Sequence, residues 1–217
     1  MFEVALEAVT VPRVEGIHTA EEFIAYTARV SNPGNQINNE SAPKLLKYLA
    51  KHKHWSPFEM VDVVMKIVTT RDIGRQILRH RSFSFQEFSQ RYAVAEDSFM
   101  LREARLQDTK NRQNSIETED EKLKKAFEDM QWHTYQLCRS HYNNALGLGI
   151  AKEQARALLP EGLTKSTMYM KGSLRSWIHY CDLRRTNGTQ KEHQNIAIEC
   201  WRLILIEFPS LAEVLDE

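Results

Sequence analysis

Apolar and polar positions alternate from the first residues. Phe2, Val4 and Leu6 fall between polar or small neighbours, which predicts a strand over residues 1–11. Thr19-Ala20-Glu21-Glu22 has the spacing of a capping box and predicts a helix running to about Val30. After a loop at Asn32-Pro33-Gly34-Asn35, Ser41 is expected to cap a second helix. Leu45, Leu46 and Leu49 form its apolar face, and it closes on Lys51-His52-Lys53-His54, where cations complement the dipole. Ser56-Pro57 reads as a further cap with proline at the first helical position. The clearest strand follows: Val61, Val63, Met65 and Ile67 alternate with Asp62, Lys66 and Thr70. Ile73 and Ile77, one turn apart, predict a short helix over residues 71–81. From Ser82 the period returns to two, which places Glu87, Ser89 and Arg91 on one face and Phe88 and Gln90 on the other. Ala93-Val94-Ala95 continues as a short extended piece.

Residues 102–115 are polar without a period and predict irregular chain, with Arg105, Lys110 and Arg112 in solvent. Thr118-Glu119-Asp120-Glu121 is expected to cap the longest helix. Leu123, Phe127, Met130, Thr134 and Leu137 then recur at helical spacing as a buried stripe, and Gly147 and Gly149 end it. A helix of that length in a small chain is also a candidate for meeting a partner subunit. Residues 152–159 form a short helix stopped by Pro160, and residues 164–171 a strand. Ser173 opens a helix with Leu174, Trp177, Ile178 and Cys181 on one face and Arg175, His179 and Asp182 on another. It ends at Arg184-Arg185 and the turn Thr186-Asn187-Gly188. Thr189-Gln190-Lys191-Glu192 caps a last helix to Glu207, with Ile196, Trp201, Leu203 and Ile204 apolar. The 217 residues carry neither repeats nor a linker. The expectation is one α+β domain over residues 1–217: a small mixed or antiparallel sheet packed with helices, one of them long.

Charge changes this picture only locally. The 29 acidic and 29 basic residues cancel, which argues against a general nucleic-acid or membrane-surface binder. Between Arg71 and Arg91, however, five arginines face only Asp72 and Glu87. No apolar run is long enough to span a bilayer, and the N-terminus shows no secretory pattern. Cys138, Cys181 and Cys200 are odd in number and widely spaced, as free thiols in a reducing compartment would be. A cytoplasmic location is the expectation, or a host cytoplasm for a viral chain. His52 and His54, two apart with no third ligand nearby, make a poor metal site, and no metal is expected.

The chemistry concentrates in Arg79-His80-Arg81-Ser82-Phe83-Ser84-Phe85-Gln86-Glu87-Phe88-Ser89-Gln90-Arg91-Tyr92. Core would not carry so many charges, and a solvated face would not carry so many aromatics. The mixture suits a half-buried pocket for a flat anion, because guanidinium forks match phosphate and stack on rings. Arg156, inside the apolar turn Ala155–Leu159, needs a partner or an anionic ligand. All three cysteines lie within helical patterns, and Ser89 lacks the third group a Ser-His-Asp arrangement requires. A binding and polarising cluster without a protein nucleophile is sensible where a cofactor carries the hard step.

Arg79-His80-Arg81 followed after seven residues by Ser89 resembles the signature of the flavin-dependent thymidylate synthases, the ThyX family. The resemblance extends from Ala28-Arg29-Val30-Ser31 through Lys53-His54-Trp55-Ser56-Pro57-Phe58-Glu59 to Asp182-Leu183-Arg184. It implies FAD as cofactor, NADPH as reductant, methylenetetrahydrofolate as one-carbon donor, and conversion of dUMP to dTMP. It implies dUMP contacts at Gln76, Arg79, Glu87, Ser89, Gln90, Arg91, Arg156 and Arg184, with Arg184 polarising the uracil ring. It implies FAD contacts at His54, Ser56, Arg79, His80, Arg81, Glu87, Ser173, Arg175 and His179. The family is homotetrameric with shared pockets, so a homotetramer is the implied assembly. The chain departs from the common pattern at Ser173 and His179, where asparagine is usual, and in the turn after Arg184. A competing reading is a single-stranded nucleic-acid or nucleotide-binding module, with Arg79, Arg81 and Arg91 on phosphates and Phe83, Phe85 and Phe88 stacking on bases. Neutral overall charge counts against it.

Overall fold

The computed structural model describes residues 2–186 and 188–215. The centre is a four-stranded antiparallel sheet in the order β1 (Glu3–Val9), β2 (Asp62–Thr70), β6 (Lys165–Ser173), β3 (Ser84–Glu87). Met65 of β2 lies opposite Leu6 and Met170, and Phe85 opposite Met170 from the far side. Val63, Met65 and Ile67 are buried while Asp62, Val64 and Lys66 are only half-buried, the alternation of a sheet with one covered face. The cover is made by α1 (Ala20–Ala28), α2 (Ala42–Lys51), α6 (Leu174–Arg184) and α7 (Lys191–Glu207), whose inner residues share one core with the sheet. Between β2 and β3 lies α3 (Arg71–Ile77). A hairpin of β4 (Arg105–Gln107) and β5 (Ser115–Glu117) precedes α4 (Glu121–Gly147) and the single turn α5 (Lys152–Ala155). Among the described residues no helix is long and apolar enough to cross a membrane.

The fold class is as the periodicities predict, and several local expectations are corrected. α3 stops at Ile77 rather than at 81. The chain must leave the helix there because Phe83 packs edge-on to Trp177 at 4.9 Å, and a Cβ on Gly172 would stand 2.5 Å from its ring. The alternation after Ser82 ends with β3 at Glu87; Ser89 to Tyr92 is a turn, and Ala93 to Ala95 is not strand. The stretch 102–115 is not irregular throughout, since it enters the hairpin. Arg105 is not in solvent but is paired with Glu192 at 2.6 Å and Glu103 at 3.3 Å. Ser41 makes no capping bond because its hydroxyl accepts from Arg29 instead. Asp120, not Thr118, caps α4. Gln190 precedes α7 without capping it, because its amide is bonded elsewhere. Ser56 lies in a 3-10 turn, Ser56–Met60. Asn187, part of the expected turn, and Met1, at the start of the expected first strand, lie outside the described residues.

The largest correction concerns α4. Leu123, Phe127, Met130, Thr134 and Leu137 are exposed, Met130 at 65% and Leu137 at 60%. The inward face is polar: Gln131, Tyr135, Arg139 and Tyr142 bond the irregular stretch that follows the arginine-rich signature. Tyr142 accepts from the Ala95 backbone at 3.0 Å, and Arg139 donates to the Ala95 carbonyl at 2.9 Å. Tyr135 donates to Asp97, and Gln131 both accepts from and donates to the Arg102 backbone. An irregular backbone laid against a helix needs such partners, since a buried unpaired N–H or C=O is costly.

Candidate active site

Arg184, in the last turn of α6, donates from Nε to His80 Nε2 at 2.9 Å. An imidazole nitrogen can accept only when it carries no proton, so His80 is neutral. Burial, then the Arg184 and Arg79 guanidiniums, push its pKa down to about 4. The His80 ring packs edge-on to Tyr180 at 4.9 Å, and buried Tyr180 meets His193 Nε2 at 3.1 Å. His193 Nδ1 in turn lies 3.4 Å from Gln76 Oε1, and Gln76 Nε2 donates to Gln190 Oε1 at 2.7 Å. Burial and the nearby Arg184 hold His193 down to about 3. Gln76, His80 and Arg184 therefore form one group, although they come from α3, the turn after it and α6.

A second group surrounds Glu87. Its carboxylate accepts from Ser166 at 2.9 Å and pairs with buried Arg71 at 3.4 Å, which also reaches Glu161 at 3.3 Å. A third lies where β6 meets α6. Glu59 accepts from Ser173 Oγ and pairs with Arg175 at 2.7 Å, which keeps its carboxyl below the usual range, with the Ser173 hydrogen bond the leading cause. The ring of His179 meets Trp55 edge-on at 5.0 Å. Exposed His54 packs against Tyr48, and Lys53 before it takes a left-handed φ of 57°. A cleft of about 410 Å³ opens here, lined by Lys53, Trp55, His179 and Asp182. A fourth group is the turn at Ser89, whose hydroxyl accepts from the Arg91 backbone at 3.3 Å. Arg91 pairs with the Glu153 carboxylate at 3.4 Å, and Arg156 donates to the Glu153 carbonyl at 3.2 Å. Gln90 is buried beside them.

Arg79 and Arg81 are exposed and, like Arg184, have no carboxylate partner among the described residues. Uncompensated guanidiniums beside a neutral imidazole form a surface that an anion would neutralise. A wider cleft of about 690 Å³ lies between the hairpin and α4, and none of the contact residues named from the sequence lines it. Its inner arginines are already spent, Arg102 on Asp72 and Arg105 on Glu192, so it offers less to an anion. The first and third groups share α6, whereas the Ser89 turn bonds instead to α5, through Arg91 and Glu153.

Burial raises the Cys181 and Cys200 thiols far above their ordinary range, so neither is a thiolate nucleophile near neutral pH. The sequence reading missed Glu59, Tyr180 and His193. His193 was findable: with Ile196, Ala197, Cys200 and Ile204 it shares the apolar face of α7, the spacing of a buried histidine. Phe83 is core and Phe85 and Phe88 are half-buried, which removes the stacking platform that a nucleic-acid module would need.

Comparison with known proteins places these groups in context. The family model described as Thymidylate synthase complementing protein matches residues 14–210. Over 211 residues the chain is 52% identical to a Paramecium bursaria Chlorella virus 1 protein named "Probable flavin-dependent thymidylate synthase", covering 97% of each. It is 49% identical over 196 residues to the flavin-dependent thymidylate synthase of a Synechocystis strain, covering 90% of this chain and 89% of that one. The crystal structure of a UMP/dUMP methylase PolB from Streptomyces cacaoi, bound with 5-Br dUMP, superposes with a TM-score of 0.84 at 24% identity. That alignment covers 100% of this chain and 95% of the other and shows a shared fold.

Proposed function

The chain belongs to the family of flavin-dependent thymidylate synthases, and on that footing we propose that it converts dUMP to dTMP without a protein nucleophile. The methylene of methylenetetrahydrofolate and a hydride equivalent from NADPH together make the new methyl group. FAD, when bound, supplies the redox chemistry that links them. The donor set fits such a group: Arg79 and Arg81 are exposed without carboxylate partners, as a pyrophosphate would require. Trp55 and His179 line one cleft, His54 and Ser56 flank Trp55 in the chain, and His80, Ser173 and Arg175 complete the flavin contacts. Glu87 enters both sets; Arg71 and Ser166 fix its carboxylate toward β6.

The observation that carries the reading is the Arg184–His80 bond. A neutral His80 takes up Nε and leaves the two terminal nitrogens of Arg184 unspent as a fork. Facing a pyrimidine carbonyl, that fork stabilises negative charge as it develops on the ring. Gln76 and Arg79 lie beside it, while Ser89, Gln90, Arg91 and Arg156 form the phosphate end of the dUMP site. Those two ends belong to separate groups in one chain, so the complete site is assembled between copies in a homotetramer. The exposed apolar stripe of α4 is the surface for that contact.

The test is direct. Purified protein should show a flavin absorbance band that NADPH bleaches, and addition of dUMP and methylenetetrahydrofolate should yield dTMP. Protein that takes up no FAD under any condition, or that reduces flavin without ever forming dTMP, would overturn the assignment.

A further inference from the structure

The amide of Gln76 belongs to a hydrogen-bonded chain in which every donor points the same way. Glu192, held by Arg105 at 2.6 Å and Arg102 at 3.5 Å, is a carboxylate and can only accept. Gln190 Nε2 donates to it at 3.0 Å, which forces Gln190 Oε1 to face Gln76. Gln76 Nε2 donates to that oxygen, so Gln76 Oε1 faces His193 Nδ1, which must carry the proton. His193 Nε2 is then a lone pair, and it accepts from the hydroxyl of Tyr180, which is buried at 2% exposure. Reversing the inner end would let His193 Nε2–H donate to the Tyr180 oxygen but leave the buried Tyr180 O–H without an acceptor. Reversing the outer end would turn a Gln190 carbonyl toward a carboxylate. His193 stays uncharged throughout the neutral range and so carries one ring proton, which the Gln76 oxygen draws to Nδ1.

We infer that this one-way chain locks the Gln76 amide in a single orientation and makes it a selector for uracil over cytosine. The inference rests on the reading of Gln76 as a dUMP contact. Each atom of the amide uses one of its two hydrogen-bonding positions on the chain. What remains is one acceptor site on Oε1 and one N–H on Nε2. That pair matches the N3–H and O4 of uracil. Cytosine presents the opposite pattern, an acceptor at N3 and a donor at N4. A free glutamine would rotate by half a turn and accept either base; this one is held from both sides. His193, Tyr180, Gln190 and Glu192 are thus positioning residues for selectivity, acting through Gln76.

The experiment compares dUMP and dCMP on the FAD-loaded protein, by dUMP turnover and by dCMP inhibition, in wild type, Tyr180→Phe, Glu192→Gln and the double variant. Tyr180→Phe frees the inner end, and Glu192→Gln supplies an amide that can donate or accept at the outer end. The dUMP-over-dCMP preference should fall by about tenfold or more in the double variant, with FAD content kept and the KM for dUMP little changed. An unchanged preference in a flavin-loaded double variant would sink the lock. Gln76→Ala separates this from the parent reading. If it leaves dUMP affinity intact, Gln76 is not a substrate contact and the pocket assignment fails with it. If it weakens dUMP while the double variant keeps its preference, only the lock is wrong. Should the variants not fold, nitrogen NMR of wild-type protein labelled at histidine decides. His193 should show a protonated Nδ1 and a bare Nε2, and a proton on Nε2 would overturn the inference.

Discussion

At the scale of single residues, the candidate site holds groups uncharged or unpaired against their usual preference. Arg184 is the clearest case, since a guanidinium half-buried beside a histidine would ordinarily have a carboxylate. Arg184→Ala is expected to fold and to keep FAD, and to lose dTMP formation by about a hundredfold or more. Single-turnover dTMP yield with the flavin absorbance as control checks it; normal turnover would remove Arg184 from the reaction. His80 and His193 carry a second prediction. Unfolded histidine takes its proton near 6.5, whereas native His80 does so at about 4 and native His193 at about 3. Between those values the unfolded chain binds more protons than the native one, so stability rises with pH there and is lost as pH falls from 6.5 toward 3. The loss should reach a few kcal/mol, on the order of 1.4 kcal/mol per unit. Urea midpoints should therefore drop between about pH 7.5 and pH 4.5 and recover part of the drop in His193→Phe. A flat profile in wild type would mean that these rings are protonated in the folded state.

At the scale of elements, the sequence was most readable where a single periodicity decided the outcome. The alternation in β2 and the apolar face of α6 stand where the pattern places them. The pattern misled where one face of an element had to serve something other than core. On α4 the apolar stripe is real, yet the helix turns Gln131, Tyr135, Arg139 and Tyr142 inward, because residues 95–102 need hydrogen-bond partners more than apolar cover. α3 ended early for a tertiary reason, the packing of Phe83 on Gly172, which no local propensity encodes. In the candidate site, arginines and the signature stood out by composition. Tyr180 and His193 did not, because they act through bonds between α6 and α7, which only the packing of those helices reveals. The role of the α4 face is testable. Tyr142 is fully buried, and Tyr142→Phe removes the acceptor of the Ala95 N–H while keeping the ring. It should cost about 1–3 kcal/mol, the usual penalty for a stranded buried donor. An unfolding midpoint equal to wild type would show that water takes over that bond.

At the scale of the whole molecule, the proposed uracil and phosphate ends of the site share no side-chain hydrogen bond or ion pair among the described residues. Arg184, His80 and Gln76 lie where α3 and the turn after it meet α6 and α7, while Arg91 and Arg156 lie with Glu153 near the end of α4. A second copy that covers the α4 stripe would close the gap and remove the exposed Phe127, Met130 and Leu137 from water. Burying each such side chain contributes roughly 1.5–3 kcal/mol, enough for a few of them per copy to hold an assembly against the entropy of association. Replacing Phe127 and Leu137 together by aspartate should therefore split the assembly without unfolding the chain, because neither side chain belongs to either buried apolar cluster. Light scattering should report a fall from a four-chain mass to a smaller one, with circular dichroism unchanged. Activity should fall in step with mass, since Arg91 and Arg184 would no longer reach the same nucleotide. Mixing this variant's Arg184→Ala form with wild-type chains should not restore turnover beyond the wild-type share, whereas Arg184→Ala and Arg91→Ala chains with intact stripes should complement each other in mixed tetramers. Full activity in a monomeric double aspartate variant would place the complete site within one chain and remove the shared-pocket arrangement.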